Sequence, residues 1–347
     1  MEHTEQHGRP PVDAMRTENP FYTQLGRTGL RVSRLAFGTV NFGGRVQEPE
    51  AHRLMDYAVA HGINLFDTAN LYGWRVHKGY TEEAIGRWLR SRSGSRDGIV
   101  LATKVGNEMA SGPNDRGLSA RHIIAECEAS LRRMRTEWID LYQMHRVDRT
   151  VGWEEVWQAM ELLVGQGKVR YVGSSNFAGW HLAAAQESAR ARHFLGLASE
   201  QCLYNLTTRF AESEVLPAAH AYGIAVLAWS PLHGGLLSGA VRKLAEGTAV
   251  KSAQGRALTA MHHRRDTIVR YERFCDQIGR DPAQVGLAWV LARPEVTAAV
   301  IGPRTIEHVD GALAALDAPL SEAELSGLDT LFPPTGRGGP APEAWIS

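Results

Sequence analysis

The chain has 347 residues, of which 44% are hydrophobic and 22% are charged, proportions typical of a globular protein with a large core. Its 38 basic and 38 acidic residues cancel, so no net charge attracts nucleic acid or an anionic membrane surface, and we expect neither partner. The absence of a secretory signal, of a run of about 18 apolar residues, and of zinc or disulfide spacing among the cysteines favours a reducing cytoplasm and predicts no bound metal.

In chain order, residues 1–20 are predicted to be a flexible tail, residues 21–335 a single folded domain, and residues 336–347 a C-terminal tail. The segment YTQLGRTGLRVSRLAFG alternates around Gly26 and Gly29, which predicts a β-hairpin that leads into a strand. Short apolar runs then alternate with helical patterns. The predicted strands are 34–38, 64–68, 99–104, 139–145, 169–174, 197–201, 224–230 and 298–302. The predicted helices are 48–61, 80–91, 119–134, 152–166, 178–191, 212–222, 266–279, 283–292, 305–316 and 321–331.

Eight strands, each followed by a helix, predict an α/β fold of the (β/α)8 barrel type, a TIM barrel, over residues 21–335. The competing architecture is an open doubly wound sheet, which usually carries a G-x-G-x-x-G turn after its first strand. Here the first strand ends in FGTVNFGG, which lacks that pattern, so the barrel is favoured. The stretch 232–263, after the seventh strand, is rich in Gly, Lys and Arg and is predicted to be one long binding loop.

Four ionisable residues are predicted at the carboxyl ends of three neighbouring strands. Asp67 ends the second strand and Tyr72 follows it, Lys104 ends the third, and His145 ends the fourth. Taken singly, Asp67 could cap a turn, Tyr72 could be a rim aromatic, Lys104 could reach solvent and His145 could be a core histidine. Because active sites of (β/α)8 barrels lie at these strand ends, the joint pattern indicates a catalytic site.

These four groups suit proton transfer beside a carbonyl group. A tyrosine with a pKa near ~10 is a poor acid at neutral pH. An ammonium about 4 Å away favours phenolate by up to about 4 kcal/mol at an effective dielectric near 20, so we expect Lys104 to lower the pKa of Tyr72. Asp67 would hold the lysine, and His145 would donate a hydrogen bond to a substrate carbonyl oxygen.

With these residues in place, the sequence resembles the aldo-keto reductases over nearly the whole predicted domain. The motifs are GINLFDTANLYG, LATKVG, DLYQMHRVD, GKVRYVGSSNF, SEQCLYNL and LAWSPLHGGLLSG. The resemblance implies a (β/α)8 barrel, a nicotinamide cofactor bound without a Rossmann domain, and a catalytic tetrad of Asp67, Tyr72, Lys104 and His145.

The resemblance also implies a cofactor site along the rim. Ser175, Asn176 and Gln201 would bind the nicotinamide carboxamide, and Trp229 would stack on its ring. The backbone around Ser230 would cradle the diphosphate, although WSPLHGG alone could be an ordinary turn. The full set of implied cofactor residues is Gly38, Thr39, Ser175, Asn176, Gln201, Trp229, Ser230, Pro231, Leu232, Gly234, Arg256, Gly302, Arg304 and His308.

The adenosine end departs from the family pattern. The family often has Gln, Glu and Asn contacting adenine and ribose where this chain has His308, Gly311 and Ala312, and a lysine where it has Ala240. Arg256 and Arg304 supply cations for a 2′-phosphate, which favours NADPH over NADH, because arginine binds phosphate with a bidentate fork. Arg304 could equally be a solvated surface charge.

A closer resemblance is to the TDP-4-keto-6-deoxyhexose 2,3-reductases of antibiotic deoxysugar biosynthesis. It is carried by GTVNFGGRV, TANLYGWRVHKGYTEEAIGRWL, YQMHRVDR, SSNFAGWHLAAAQ and the ending APEAW. It implies reduction of the C-3 ketone of a TDP-3,4-diketo-2,6-dideoxyhexose. Aromatic and cationic rim residues would meet such a nucleotide sugar: Trp74, Arg75, His77, Lys78 and Arg146, with Trp153 and Trp180 as further aromatic surface.

Two other functions stay open. One is a broad-specificity reductase of small aldehydes and ketones. The other is a cofactor-binding regulatory subunit like the potassium-channel β subunits, against which the intact tetrad argues. The sequence leaves open the oligomeric state, the sugar configuration and the product stereochemistry.

Overall fold

The computed structural model describes residues 21–91, 96–248 and 255–335. The predicted tails 1–20 and 336–347 lie outside the described residues. The strands are β1 Tyr22–Gln24, β2 Arg31–Ser33, β3 Leu35–Gly38, β4 Leu65–Asp67, β5 Val100–Val105, β6 Ile139–Met144, β7 Val169–Ser175, β8 Leu197–Leu203, β9 Ala225–Trp229 and β10 Val296–Ile301. The helices are α1 Glu48–Ala60, α2 Tyr80–Ser91, α3 Ala120–Met134, α4 Trp153–Gly165, α5 Gly179–Ala191, α6 Val215–Tyr222, α7 Ala240–Ala245, α8 Gly255–Gln277, α9 Pro282–Leu291, α10 Ile306–Asp317 and α11 Glu322–Leu331.

Strands β3 to β10 form a closed barrel in which every pairing is parallel, in the order β10-β3-β4-β5-β6-β7-β8-β9. The predicted (β/α)8 barrel is therefore confirmed. Side chains alternate along each strand, so one set points into the barrel and the other packs against the helices. The inward set is mostly small or aliphatic, and it includes Ala36, Leu65, Ala102, Leu141 and Ala298.

The predicted N-terminal hairpin is also present, because β1 and β2 pair antiparallel. Its residues Leu25 and Val32 are fully buried against the interior of the barrel, so the hairpin closes the amino-terminal end of the barrel. Gly26 makes this possible. It has φ +59°, and a Cβ atom there would lie 2.6 Å from the carbonyl oxygen of Gly223. Any larger residue would push the hairpin away from the barrel.

The connection between β9 and β10 differs from the prediction of one long loop. It contains a 3₁₀ turn at His233–Gly235, the short helix α7 and the long helix α8, which begins at Gly255 rather than near 266. Ala257 and Met261 are four residues apart and both buried, which is the spacing of one helical face. The abundant charged residues concealed that spacing. A kink at Arg264, with φ −131°, separates the two halves of α8.

None of the helices within the described residues combines the length and apolar character needed to span a bilayer.

Candidate active site

The carboxyl end of the barrel interior holds a buried ion pair. Asp67 is the last residue of β4 and Lys104 lies in the neighbouring β5. The Lys104 Nζ atom lies 2.7 Å from both carboxylate oxygens of Asp67 and donates to the Thr68 carbonyl oxygen at 2.9 Å. Both side chains are almost fully buried, so each charge depends on the other for compensation. The ion pair expected between Asp67 and Lys104 is therefore present.

Burial by itself lowers the pKa of Lys104, but the charge of Asp67 and the Tyr72 hydroxyl outweigh it and raise that pKa above its ordinary value. The lysine is therefore a fixed cation across the neutral range.

Two buried glutamines complete the surroundings of Asp67. The amide nitrogens of Gln143 and Gln201 donate to Asp67 Oδ1 at 3.1 Å and 2.7 Å. Gln143 was missed by the sequence reasoning, although a signal was available. It lies two residues after the inward-facing Leu141 and is paired in register with Lys104, so strand alternation directs it into the barrel.

Tyr72 lies in the loop after β4, beside this ion pair. The centre of its ring is 5.2 Å from Lys104 Nζ, and it meets the ring of His145 edge to face at 5.9 Å. The structure therefore brings together all four residues proposed for the tetrad. The tight turn after Tyr72 requires glycine, because Gly73 has φ +88° and a Cβ atom there would lie 2.6 Å from Tyr80 Cβ.

The expected lowering of the pKa of Tyr72 is wrong for this structure. Burial raises the pKa above 10.0, Lys104 lowers it by less, and Asp67 raises it further. The lysine charge lies beside the phenol as expected, but desolvation of the phenol outweighs it and the Asp67 carboxylate opposes it. Tyr72 consequently keeps its proton at neutral pH, which is the state a proton donor requires.

His145 follows β6, and its backbone N–H donates to the Val105 carbonyl at 2.8 Å. Burial, with the charges of Lys104 and Arg146, lowers the pKa of His145 to about 3. The imidazole is therefore neutral under ordinary conditions. Its Nδ1 atom lies 2.5 Å from the amide nitrogen of Asn107, a residue that the sequence reasoning did not single out.

A second polar cluster lies on the rim beside His145. Asn176 has φ +61°, and its amide nitrogen donates to the His145 carbonyl at 3.1 Å and to Ser175 Oγ at 2.9 Å. Its amide oxygen accepts from the indole N–H of Trp229 at 3.1 Å. Trp229 is partly exposed at the end of β9. An aromatic face is thus held in place among amide and hydroxyl groups, a combination that fits a flat ring with a polar substituent.

The turn after Trp229 has an unusual backbone. Ser230 and His233 have φ values of +56° and +46°, and Gly234 has φ +67°. Asn205 donates to the Ser230 carbonyl at 3.0 Å, and the Thr207 hydroxyl lies 2.5 Å from His233 Nδ1. Side chains from the loop after β8 therefore hold this turn, and the sequence reasoning missed both of them. Pro231 is buried and Leu232 is partly buried within the same turn.

The two arginines expected at a 2′-phosphate lie in different surroundings. Arg256 lies in the first turn of α8, and its guanidinium lies 4.8 Å from the centre of the Trp229 ring. The charge of Arg256 also contributes to lowering the pKa of His233, after burial, so it lies near the Ser230 turn. Arg304 follows β10, its backbone N–H donates to His308 Nδ1 at 3.2 Å, and burial and Arg45 lower its pKa. Only Arg304 is placed beyond β10, where the adenosine end was expected.

The remaining predicted cofactor residues lie at the ends of β3 and β10. A Cβ atom on Gly38 would lie 2.8 Å from the Ile301 carbonyl oxygen, so glycine permits the close approach of these strands. Thr39 is fully buried and donates to the Asp67 carbonyl at 3.0 Å. The Gly302 carbonyl accepts from Asn41 at 2.9 Å. Thr39 thus holds the backbone of Asp67 in position at the end of β4.

The loop proposed to contact substrate is exposed, but only some of its basic residues are paired with carboxylates. Trp74 is 46% exposed with Arg75 5.6 Å from its ring centre. His77 lies 3.2 Å from Glu83, and Lys78 lies 3.5 Å from Glu108, so both face carboxylates. Across the described residues, Arg75 and Arg146 take part in no such ion pair. They are the cations of the predicted substrate set that are available to an anionic ligand.

The two tryptophans proposed as further rim surface also differ. Trp153 stacks on Trp157 at 6.1 Å and packs against the core. Trp180 is 57% exposed. Within the described ranges, no three His, Cys, Asp or Glu side chains converge as metal ligands would.

Comparison with known proteins supports a family assignment. The sequence model of the aldo/keto reductase family matches residues 34–332. The uncharacterised oxidoreductase YrpG of Bacillus subtilis is 48% identical over 93% of this chain and 99% of its own length. A probable voltage-gated potassium channel β subunit of rice is 32% identical over 88% of this chain and 94% of its own length. The versiconal hemiacetal acetate reductase of Aspergillus parasiticus is 29% identical over 90% of this chain and 97% of its own length.

Proposed function

This chain belongs to the aldo/keto reductase family and is an NAD(P)-dependent oxidoreductase, and from that premise we propose that it is an NADPH-dependent ketoreductase acting on a nucleotide-linked keto sugar. The proposed reaction is reduction of the C-3 ketone of a TDP-3,4-diketo-2,6-dideoxyhexose, in deoxysugar and antibiotic biosynthesis. The observation that carries the reductase chemistry is the buried Asp67–Lys104 pair beside a protonated Tyr72 and a neutral His145.

The roles of the four residues follow from their charge states. The chemistry supplied by bound NADPH is hydride transfer to the carbonyl carbon. Tyr72 donates its proton to the carbonyl oxygen as negative charge develops there. Lys104 stabilises the phenolate that this leaves, and Asp67 keeps Lys104 in position. His145 donates a hydrogen bond to the same oxygen, which orients the carbonyl group and stabilises the transition state.

The rim residues suit a nicotinamide dinucleotide. Trp229 offers a partly exposed aromatic face, and the exposed Asn176 beside it offers amide groups for a carboxamide. The turn from Ser230 to Gly234 carries backbone groups suited to a diphosphate. Arg304 is the proposed contact for a 2′-phosphate and supports the preference for NADPH.

The nucleotide-sugar substrate is supported by the closer sequence resemblance and by the rim. Trp74 presents a flat aromatic surface near Tyr72, with ring centres 6.4 Å apart. Arg75 and Arg146 are both exposed cations, Arg75 beside the Trp74 ring and Arg146 directly after His145. A thymine ring can stack on an indole, and guanidinium groups suit a diphosphate.

The deciding experiment measures NADPH oxidation with TDP-3,4-diketo-2,6-dideoxyhexose, prepared with a sugar-nucleotide 2,3-dehydratase, and compares it with glyceraldehyde and nitrobenzaldehyde. The proposal expects a large preference in kcat/KM for the nucleotide sugar. Trp74→Ala should raise KM for that substrate, whereas the control Leu162→Ala, an exposed apolar residue on α4, should not. Turnover of simple aldehydes only would support a broad carbonyl reductase instead. Cofactor binding without turnover of any carbonyl would favour a regulatory subunit.

A further inference from the structure

Asn107 and His145 meet because they follow neighbouring strands. Strands β5 and β6 pair in register up to Val105 and Met144, so the residues just after them leave the barrel at the same level. Between Val105 and Asn107, Gly106 has φ +119°, which turns the chain at the strand end. The side-chain amide of Asn107 reaches the ring of His145, with Nδ2 and Nδ1 2.5 Å apart.

A neutral imidazole carries one proton, and its position decides what the ring can do. When the proton is on Nε2, Nε2 can donate a hydrogen bond to a carbonyl oxygen. When the proton is on Nδ1, Nε2 can only accept one. The partner of the other nitrogen selects between these tautomers. Among neighbours of His145, Lys104 and Arg146 repel a second proton. Within the described residues, neither of them forms a hydrogen bond with a ring nitrogen of His145, whereas Asn107 does.

We propose that Asn107 is a positioning residue that donates its amide N–H to His145 Nδ1 and thereby holds the proton of His145 on Nε2. Its catalytic consequence rests on the proposed function, because the Nε2–H group is then the donor to the substrate carbonyl oxygen. Asn176 fixes the same residue differently, since it donates to the His145 backbone carbonyl at 3.1 Å and leaves the ring nitrogens alone. The histidine is thus held by one amide at its backbone and by another at its ring.

The test uses the isosteric variant Asn107→Asp, because a carboxylate can only accept a hydrogen bond and so favours a proton on Nδ1. Asn107→Ala removes the contact without imposing either tautomer. The proposal expects kcat to fall about 100-fold or more in Asn107→Asp, comparable to loss of a preorganised donor. It expects a smaller loss, about 10-fold, in Asn107→Ala. Cofactor Kd, measured by calorimetry, should change little in either variant.

A direct readout is the ¹⁵N spectrum of protein labelled at histidine, with the His145 signals identified by their loss in His145→Gln. The wild-type protein should show Nε2 protonated and Nδ1 unprotonated from about pH 6 to 9. Asn107→Asp should reverse this pattern, and the matched variant Asn176→Ala should leave it unchanged. A wild-type spectrum with the proton on Nδ1 would overturn the proposal, since Asn107 would then be an acceptor.

Equal losses of kcat in Asn107→Ala and Asn107→Asp, with no change in the ring spectrum, would also overturn it, because a merely structural contact predicts that result. The two proposals fail separately. A wild-type protein that reduces no carbonyl compound would count against the ketoreductase, while the spectrum would still decide the tautomer.

Discussion

The two ends of the barrel interior are closed by opposite chemistry. At the amino-terminal end, the hairpin inserts Leu25 and Val32 against aliphatic side chains. At the carboxyl end, Lys104 and Asp67 are equally buried but are held by hydrogen bonds and opposite charge. Burial of apolar side chains stabilises the folded state because apolar surface is removed from water. A buried ion pair contributes little net stability, because the cost of desolvating the charges offsets their attraction. The contrast indicates that the polar end is maintained for function.

The largest expected effect at the polar end is on turnover. Tyr72→Phe removes the proton donor and keeps the ring, so kcat should fall by about 100- to 10,000-fold, the range for general acid catalysis. Cofactor Kd and melting temperature should stay near those of the wild-type protein. Steady-state kinetics with calorimetry provides the check. A near-normal kcat would remove Tyr72 as the acid.

One substitution at each end of the barrel tests whether the polar end serves function and the apolar end serves stability. Lys104→Met leaves the carboxylate of Asp67 buried without its cation and should destabilise the protein by about 3–5 kcal/mol. Leu25→Ala leaves a cavity and should cost about 2–5 kcal/mol. Only Lys104→Met should also abolish turnover by the folded fraction. Urea unfolding with activity per folded molecule measures both, and loss of specific activity in Leu25→Ala would contradict the separation.

A second buried carboxylate, Glu200 in β8, differs from Asp67 in its surroundings. Asp67 has a cationic partner, whereas the groups that hydrogen-bond to Glu200 among the described residues are neutral. They are the Ser174 hydroxyl at 2.5 Å, the Phe177 backbone N–H at 3.0 Å and the Asn176 backbone N–H. Burial therefore raises the pKa of Glu200 from 4.5 to about 7. The folded protein holds this proton more tightly than the unfolded chain does. The resulting stabilisation is complete below about pH 4.5 and is lost as the pH rises through about 7.

The predicted size of this effect is on the order of 3 kcal/mol, at about 1.4 kcal/mol per pKa unit. Glu200→Gln keeps an acceptor for the Phe177 N–H and cannot ionise, so it should remove that part of the pH dependence. The measurement is the difference in unfolding free energy between the two proteins from about pH 4 to 8. A constant difference across this range would show that Glu200 does not titrate there.

The smallest expected effect lies on the exposed rim, beyond the buried end. Arg304→Ala should weaken NADPH about tenfold, since a lost charged contact to phosphate is worth about 1.4 kcal/mol or more. The affinity for NADH should change little. Parallel titrations with the two cofactors test this. An equal effect on both would show that Arg304 does not contact the 2′-phosphate.

Much of the architecture was predictable because it depends on local pattern. Alternation of short apolar strands with amphipathic helices indicated the barrel, and Asp67, Lys104 and His145 were placed at strand ends by counting along each strand. The connection after β9 was less accessible. There, Ala257 and Met261 are buried residues near the start of a helix that is otherwise rich in polar and charged residues. That these two residues form the buried face of a helix became evident only from the packed structure.

Local sequence pattern was enough to predict the fold and the residue types that converge at the carboxyl end of the barrel, because strand direction and side-chain alternation are local properties. The groups that those residues contact became evident from the packed barrel alone. Gln143 beside Asp67, Asn107 beside His145 and the upward shift in the pKa of Tyr72 all depend on distances between different strands and on removal from water. Electrostatic effects depend on these distances and on burial, so they are properties of the assembled barrel.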